Sequence, residues 1–143
     1  MNIVSISATG FRNLLLIDPQ LAATIRTSTG QHKIFLGQAS GNFLPPYILI
    51  TKLYGGEENA SLSRSFDMIF RIAGVMSDQG QAEELNDRIE AALVSQWPVL
   101  PDGWEPWAWI TQGVPYQETR IIQDKPYHEM GAQYRIRAVK DKQ

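Results

Sequence analysis

Histidine is the first residue type to examine for chemistry, because imidazole changes charge near neutral pH. The chain contains two, His32 and His128. His128 lies beside Glu129 and close to Asp124, a set of side chains that suits a metal ion or a general base. Adjacent residues of a strand point to opposite faces of a sheet, so His128 and Glu129 would not converge on one ion. We interpret His128 as a surface histidine of a hairpin and predict no metal site.

Glu57 and Glu58 form the next candidate, because paired carboxylates can divide the roles of general acid and general base. Such a division requires apolar surroundings that desolvate one carboxyl group, and the neighbouring residues are polar. We predict instead that these glutamates form the charged tip of a β-hairpin. Together with Asn59 and Leu62, this tip is a candidate contact for a protein partner.

The tryptophans are concentrated in a short segment that contains Trp104, Trp107 and Trp109. On a regular strand Trp107 and Trp109 share one face, which favours core packing for both. Trp104 falls in the preceding turn, and two alternatives stay open for it: an exposed interface residue or a buried loop anchor. Its neighbours Asp102 and Glu105 are acidic, which argues against an aromatic platform for single-stranded nucleic acid.

Three arginines occupy the polar sides of predicted strands. Arg135 and Arg137 alternate with apolar residues near the C-terminus, and Arg71 occupies the polar side of an earlier strand. If the two strands pair, the three side chains share one face of the sheet. That face is either simply solvated, or it pairs with carboxylates across a subunit boundary and so fixes the choice of partner.

Composition limits the remaining classes of function. The 143 residues are 43% hydrophobic and 20% charged, as in an ordinary globular domain, and the formal net charge of −2 offers no basic surface for nucleic acid or anionic membranes. Cysteine is absent, which excludes disulfides and thiolate chemistry. The nucleotide-binding, serine-hydrolase and zinc-protease motifs are missing from the sequence. We therefore predict a single domain over residues 1–143 that is not an enzyme and needs no cofactor, with a frayed tail at 139–143.

The strands that would position these residues follow from the hydrophobic periodicity. Residues 47–54 are predicted to form a strand that ends at Gly55 and Gly56, residues 57–63 a polar loop, and residues 64–76 a second strand. In the second strand, apolar and polar residues alternate, which predicts that one face is buried. The residues of that buried face are Phe66, Met68, Phe70 and Ile72.

Helical periodicity occupies the regions before and after these strands. One helix covers at least residues 8–16, and Asp18 followed by Pro19 predicts the start of a short second helix. A longer amphipathic helix is predicted over residues 79–96, behind Asp78 as its N-cap. With further strands toward the C-terminus, this order predicts an α+β fold: a mainly antiparallel sheet of about four to five strands with helices packed on one face.

This layout resembles the tail-terminator, or tail-completion, proteins of long-tailed phages. The resemblance rests on a PPY-strand-GG segment at 45–56, a strand ending in RIAGVM at 64–76, an acidic amphipathic helix at 78–95 and a closing GAQYRIRAV strand at 131–139. It extends over most of residues 8–139. The tryptophan-rich segment departs from the family pattern.

The resemblance implies a structural protein of a virion. Tail terminators form a closed ring, usually hexameric, at the head-proximal end of the tail tube, where the ring ends tube polymerisation and provides the head-attachment surface. The implied partners are further copies of the chain, the major tail tube protein and the head-completion or connector protein. The resemblance also implies that DNA passes through the lumen without specific binding, that no membrane is involved, and that assembly takes place in the host cytoplasm.

Two alternatives to a tail terminator remain open. One is another neck, head-completion or minor tail protein of the same particle. The other is a small α+β ligand-binding module, which the missing catalytic motifs make the weaker alternative. The residues that we expect at a subunit or partner interface are Glu57, Glu58, Asn59, Leu62, Trp104, Arg135 and Arg137.

Overall fold

The computed structural model describes residues 2–39, 43–59 and 62–141. Two helices are followed by three strands, a third helix and two further strands, and the fold class is α+β, as predicted. The elements are α1 (Ile3–Ile17), α2 (Pro19–Ile25), β1 (Ile34–Leu36), β2 (Tyr47–Asn59), β3 (Ser63–Met76), α3 (Gln79–Val94), β4 (Glu105–Ile122) and β5 (Lys125–Asp141).

The strands form one five-stranded sheet in the order β1-β2-β3-β5-β4. β1 pairs with β2 in parallel, and the other three pairings are antiparallel. The helices pack on one side of this sheet, so the predicted antiparallel sheet with helices on one face is confirmed. We call the sheet surface under the helices the covered face and the opposite surface the open face.

Helix starts are set by the aspartates that the sequence indicates. The Asp18 carboxylate accepts hydrogen bonds from the backbone N–H groups of Gln20 at 3.0 Å and Leu21 at 3.3 Å. Asp78 accepts one from the N–H of Gln81 at 3.0 Å. These bonds satisfy donors that have no partner within the first turn of a helix, which explains why α2 and α3 begin where they do.

The covered face carries the larger hydrophobic cluster, and the alternation in β3 selects its residues. Phe66, Met68, Phe70 and Ile72 are all buried there, as predicted. α3 packs closely enough on β3 that a Cβ at Gly74 would lie 2.4 Å from a methyl carbon of Leu85. The glycine therefore lets helix and sheet approach each other.

An aromatic stack fills the centre of this core. The Phe11 ring of α1 lies 4.8 Å from the Trp109 ring in stacked geometry and 5.0 Å from the Phe70 ring in edge-on geometry. Trp109 also stacks on Tyr134, at 5.5 Å between ring centroids. Its indole N–H donates to the carbonyl oxygen of Leu93 at 2.6 Å, which ties β4 to the end of α3. The stack joins the helical layer to the sheet through burial and favourable ring geometry.

The prediction that the first strand ends at Gly55 and Gly56 is wrong. β2 continues through both glycines to Asn59, and Glu57 pairs opposite Phe66 of β3. The predicted loop at 57–63 is therefore strand at each end, while its residues 60 and 61 lie outside the described part of the chain. The hairpin is longer than the sequence suggests, and the tip carboxylates belong to a paired strand.

A strand irregularity explains why glycine occupies position 55. Between Lys52 and Tyr54 the pairing with β3 slips by one residue. Gly55 then adopts φ 106°, and a Cβ at this position would lie 2.1 Å from the carbonyl oxygen of Asp67. Only glycine fits such a close approach with a positive φ, so the residue accommodates a bulge within β2 rather than a turn after it.

The C-terminal strand also extends further than predicted. Residues 139–141 belong to β5 and pair with Ser63, Arg64 and Ser65 of β3. The predicted frayed tail is therefore strand as far as Asp141, and residues 142 and 143 lie outside the described part of the chain. Pairing with β3 supplies the hydrogen bonds that keep these residues ordered.

β4 forms one edge of the sheet and is irregular. It runs as one strand through Pro115, with register shifts between Pro106 and Ala108 and between Thr111 and Pro115. Each shift leaves residues of β4 without a partner on β5. Such a bulge changes the direction in which the neighbouring side chains point. The first of these shifts decides where the tryptophans of this segment point.

Candidate interaction surface

Asp67 holds two arginines together on the open face. Arg135 donates to the Asp67 carboxylate from Nε at 2.9 Å and from Nη2 at 2.5 Å, and Arg137 donates from Nε at 3.1 Å. The hydrogen bond from Arg135 is the main cause that lowers the pKa of Asp67, and the bond from Arg137 adds to it. Both arginines thus have a carboxylate partner within their own chain, and their guanidinium groups are held in place at the surface.

Trp107 lies beside this cluster, on the open face. The guanidinium of Arg137 sits 5.1 Å from the centre of the Trp107 ring, and Trp107 is 53% exposed. Trp109, by contrast, is 7% exposed within the aromatic core. The prediction that both tryptophans pack in the core is therefore wrong for Trp107. The register shift between Pro106 and Ala108 places Trp107 in a bulge, which breaks the two-residue alternation.

Trp104 is buried rather than exposed. It is 3% exposed, and its ring lies 4.9 Å from that of Phe66. The guanidinium of Arg64 covers it at 5.2 Å from the ring centre. Of the two alternatives that the sequence leaves open, the structure supports the buried loop anchor. Trp104 is therefore unavailable as a direct interface residue.

The side chains of the hairpin tip differ in their contacts. Glu57 accepts a hydrogen bond from Nε of Arg64 at 2.5 Å, an ion pair within the hairpin. Glu58 and Asn59 are exposed, and Leu62 is 80% exposed. Covering this apolar side chain with a partner would be favourable, because it would remove apolar surface from water.

A shallow groove connects the tip to the arginine cluster. Glu58, Asp67, Trp107 and Arg137 are among the residues that line it. The structure thus brings together two glutamates, Glu57 and Glu58, and one arginine, Arg137, that the sequence suggested separately. It adds Trp107, whose position on the open face follows from the bulge in β4.

The register of the sheet extends this surface across four strands. Tyr54 pairs with Ile69, Ile69 with Arg135, and Arg135 with Ile110, so these four side chains form one row on the open face. Tyr54 and Ile110 are each more than half exposed. We call the row together with Arg137 and Trp107 the open-face patch. Tyrosine, tryptophan and arginine are the residues most enriched at interface hot spots, so its composition is that of a binding surface.

At the other end of the open face, a buried carboxylate forms hydrogen bonds with neighbouring side chains of the same chain. Glu129 is 1% exposed and accepts hydrogen bonds from Nε of Arg120 at 2.9 Å and from the hydroxyl of Tyr116 at 3.0 Å. Burial, followed by a hydrogen bond with Glu118, raises the pKa of Tyr116. Arg71 stacks 3.9 Å above the Tyr116 ring. Arg71 therefore shares the open face with Arg135 and Arg137, as the alternation predicts, but it packs on an aromatic ring.

The histidine segment shows no convergence of ligands. His128 pairs with Met76 on one side and Thr119 on the other. Within residues 2–39, 43–59 and 62–141, no group of three histidine or carboxylate side chains is placed to hold a metal ion. In the same residues, no helix has the length and apolar character needed to cross a membrane.

Comparison with known proteins gives a match in structure alone. No family model matches the chain. No curated protein matches it either. A chain in the solved structure described as "Virion of native gene transfer agent (GTA) particle" superposes with a TM-score of 0.69 at 14% sequence identity, covering 96% of this chain and 97% of that one. At that identity the likeness is one of fold, and it extends over nearly the whole length of both chains.

Proposed function

We propose that this chain is a structural component of a phage-like virion and acts as its tail terminator. In this role, copies of the chain form a ring, expected to be a hexamer, at the head-proximal end of the tail tube. The ring ends polymerisation of the major tail tube protein and offers a surface to the head-completion or connector protein. The observation that carries the proposal is the nearly full-length structural match to a chain of a gene transfer agent virion.

The resemblance to tail terminators supports the more specific part of this proposal. The order of helix, hairpin, acidic helix and closing strand is the one that the family leads us to expect, and the fold has it. A ring requires contacts between unlike surfaces of successive subunits, and an exposed aromatic and arginine patch suits such a contact. The net charge of −2 fits a lumen through which DNA passes without specific binding.

The hairpin tip is the part that we assign to partner proteins in this role. Glu58, Asn59 and Leu62 project from the end of the β2–β3 hairpin with exposed side chains. Contact with the tube or the connector would cover Leu62 and give Glu58 a polar partner. The chain would then occur in the virion at the head-proximal end of the tail, after assembly in the host cytoplasm.

Deletion of the gene in a particle-producing host tests this role. Electron micrographs of the resulting lysate should show tails that are overlong or unattached to heads, because nothing ends the growth of the tube. Supplying the intact gene in trans should restore a single tail length.

The alternative is another neck, head-completion or minor tail protein, since the matched structure is that of a whole virion. Deletion would then leave tails of normal length beside unfilled or leaky heads. Tails of normal length that are joined to filled heads would contradict both assignments and favour a role outside the particle.

A further inference from the structure

The open-face patch carries more positive than negative charge. Arg135 and Arg137 share one carboxylate, Asp67, so the two guanidinium groups keep an excess of positive charge, while Glu58 adds a negative charge at the end of the groove near the hairpin tip. Trp107 and Tyr54 beside it are each about half exposed. A matching surface would therefore need acidic groups around the place where these aromatic rings dock.

The outer surface of α3 has the opposite charge. Its exposed carboxylates are Glu83, Glu84, Asp87 and Glu90, and its one basic residue, Arg88, lies 3.5 Å from the carboxylate of Asp18. The inner side of α3 is buried against the covered face through Ala82, Leu85, Ile89 and Leu93. The acidic surface of α3 and the open-face patch thus lie on opposite sides of the molecule.

We propose that the open-face patch of one copy docks on the acidic outer surface of α3 of the next copy. This inference rests on the proposed function and names the subunit contact of the ring. Two unlike surfaces on opposite sides of a subunit give a head-to-tail contact, which generates a ring when the rotation between successive copies closes. Docking of two open-face patches on each other would instead bring arginine against arginine, which costs free energy.

Asp67 orders the arginine side chains of the patch in the free subunit. By fixing Arg135 through two hydrogen bonds and Arg137 through one, it orders both guanidinium groups before a partner arrives. Preordered side chains lose less conformational entropy when they bind. Trp107 is held at the same place by the guanidinium of Arg137.

A charge-reversal experiment tests the contact. Arg137→Glu is prepared alone, Glu83→Lys with Asp87→Lys is prepared as a second variant, and all three substitutions are combined in a third. Association of each is measured by analytical ultracentrifugation and native mass spectrometry over a range of concentrations. Each of the first two variants should weaken self-association by roughly tenfold or more, and the combined variant should recover most of it.

A second pair of variants keeps the test valid if charge reversal disturbs the fold. Trp107→Ala removes an exposed ring of the patch and should also weaken association while leaving the melting temperature nearly unchanged. Leu36→Ala is the matched control, because Leu36 is also partly exposed but lies on β1 at the other edge of the sheet. The control should associate like the wild type.

The outcomes separate this contact from the proposed function. A wild-type oligomer that is insensitive to Arg137→Glu and Trp107→Ala would overturn the contact and leave the terminator role standing. A wild-type chain that stays monomeric up to about millimolar concentration would also overturn it, since a specific contact between subunits is expected to hold more tightly than that. The tail lengths after gene deletion test the role independently of either result.

Discussion

The two faces of the sheet place tryptophans of one strand in opposite settings. On the covered face, Trp109 stacks on Phe11 and Tyr134 and its N–H is hydrogen-bonded to a carbonyl oxygen. On the open face, Trp107 contacts an arginine and is half exposed. The first arrangement stabilises the fold, because burying a ring removes its surface from water. The second leaves most of that free energy available for binding a partner.

Arginine shows the same contrast within the open face. Arg135 and Arg137 are partly exposed around Asp67, whereas Arg120 neutralises a carboxylate that is almost completely buried. Exposed ion pairs contribute little to stability, while loss of the partner of a buried charge is costly. We therefore expect the ion pairs of the patch to contribute less to stability than the buried pair of Arg120 and Glu129.

Phe70→Ala should have the largest effect, because it removes a fully buried ring at the centre of the covered face. We expect the free energy of unfolding to fall by about 3–5 kcal/mol, from lost burial and the cavity that remains. Urea unfolding followed by tryptophan fluorescence measures it. Tyr54→Ala on the open face is the control and should change stability by about 0.5 kcal/mol or less. Equal effects of the two variants would contradict the difference between the faces.

Arg120→Met should have the next largest effect. The substitution keeps most of the apolar stem but leaves the carboxylate of Glu129 buried with only the hydroxyl of Tyr116 as a partner. We expect a loss of about 2–3 kcal/mol in urea unfolding at neutral pH. Adding Glu129→Gln to this variant should restore part of the loss, since an amide carries no charge. No recovery in the double variant would argue that Arg120 acts through packing alone.

Asp67→Asn should have the smallest effect, and the effect should depend on pH. Because the pKa of Asp67 in the folded protein lies below its ordinary value of 3.8, the carboxylate stabilises the fold above that pH. This contribution is lost as the pH falls through the lower folded value. At neutral pH the free energy of unfolding of the wild type should exceed that of the variant by less than about 1 kcal/mol. The difference should vanish in acid.

Urea unfolding at a series of pH values measures this difference. Asp87→Asn, at an exposed position of α3, is the matched control. A difference between wild type and Asp67→Asn that stays constant from neutral pH into acid would show that the arginine cluster stabilises the fold by packing rather than by charge.

The sequence predicted those parts of the fold that depend on local patterns. Alternation in β3 identified the buried residues, and Asp18 and Asp78 marked two helix starts because a capping side chain acts on its own first turn. The α+β class followed from the order of these elements. Each of these features needs only a few neighbouring residues to be recognised.

Features that depend on a distant partner strand were not predictable in this way. Glycine at position 55 is typical of the end of a strand. Its place within β2 depends instead on the close approach of the Asp67 backbone on β3. The bulge at Trp107 arises from the register of β4 against β5, which no local pattern encodes. For this reason Trp107 was predicted to lie in the core and two alternatives stayed open for Trp104, although Arg135 and Arg137 were identified as candidate interface residues.

The irregular edge of the sheet has a consequence for the chain before it meets any partner. A long, regular edge strand is a template for cross-β aggregation. β4 forms such an edge over Glu105–Ile122, yet Pro106 and Pro115 supply no N–H donors and two register shifts interrupt it. These interruptions oppose edge-to-edge pairing between newly made copies, so we expect the chain to have a low tendency to form fibrils.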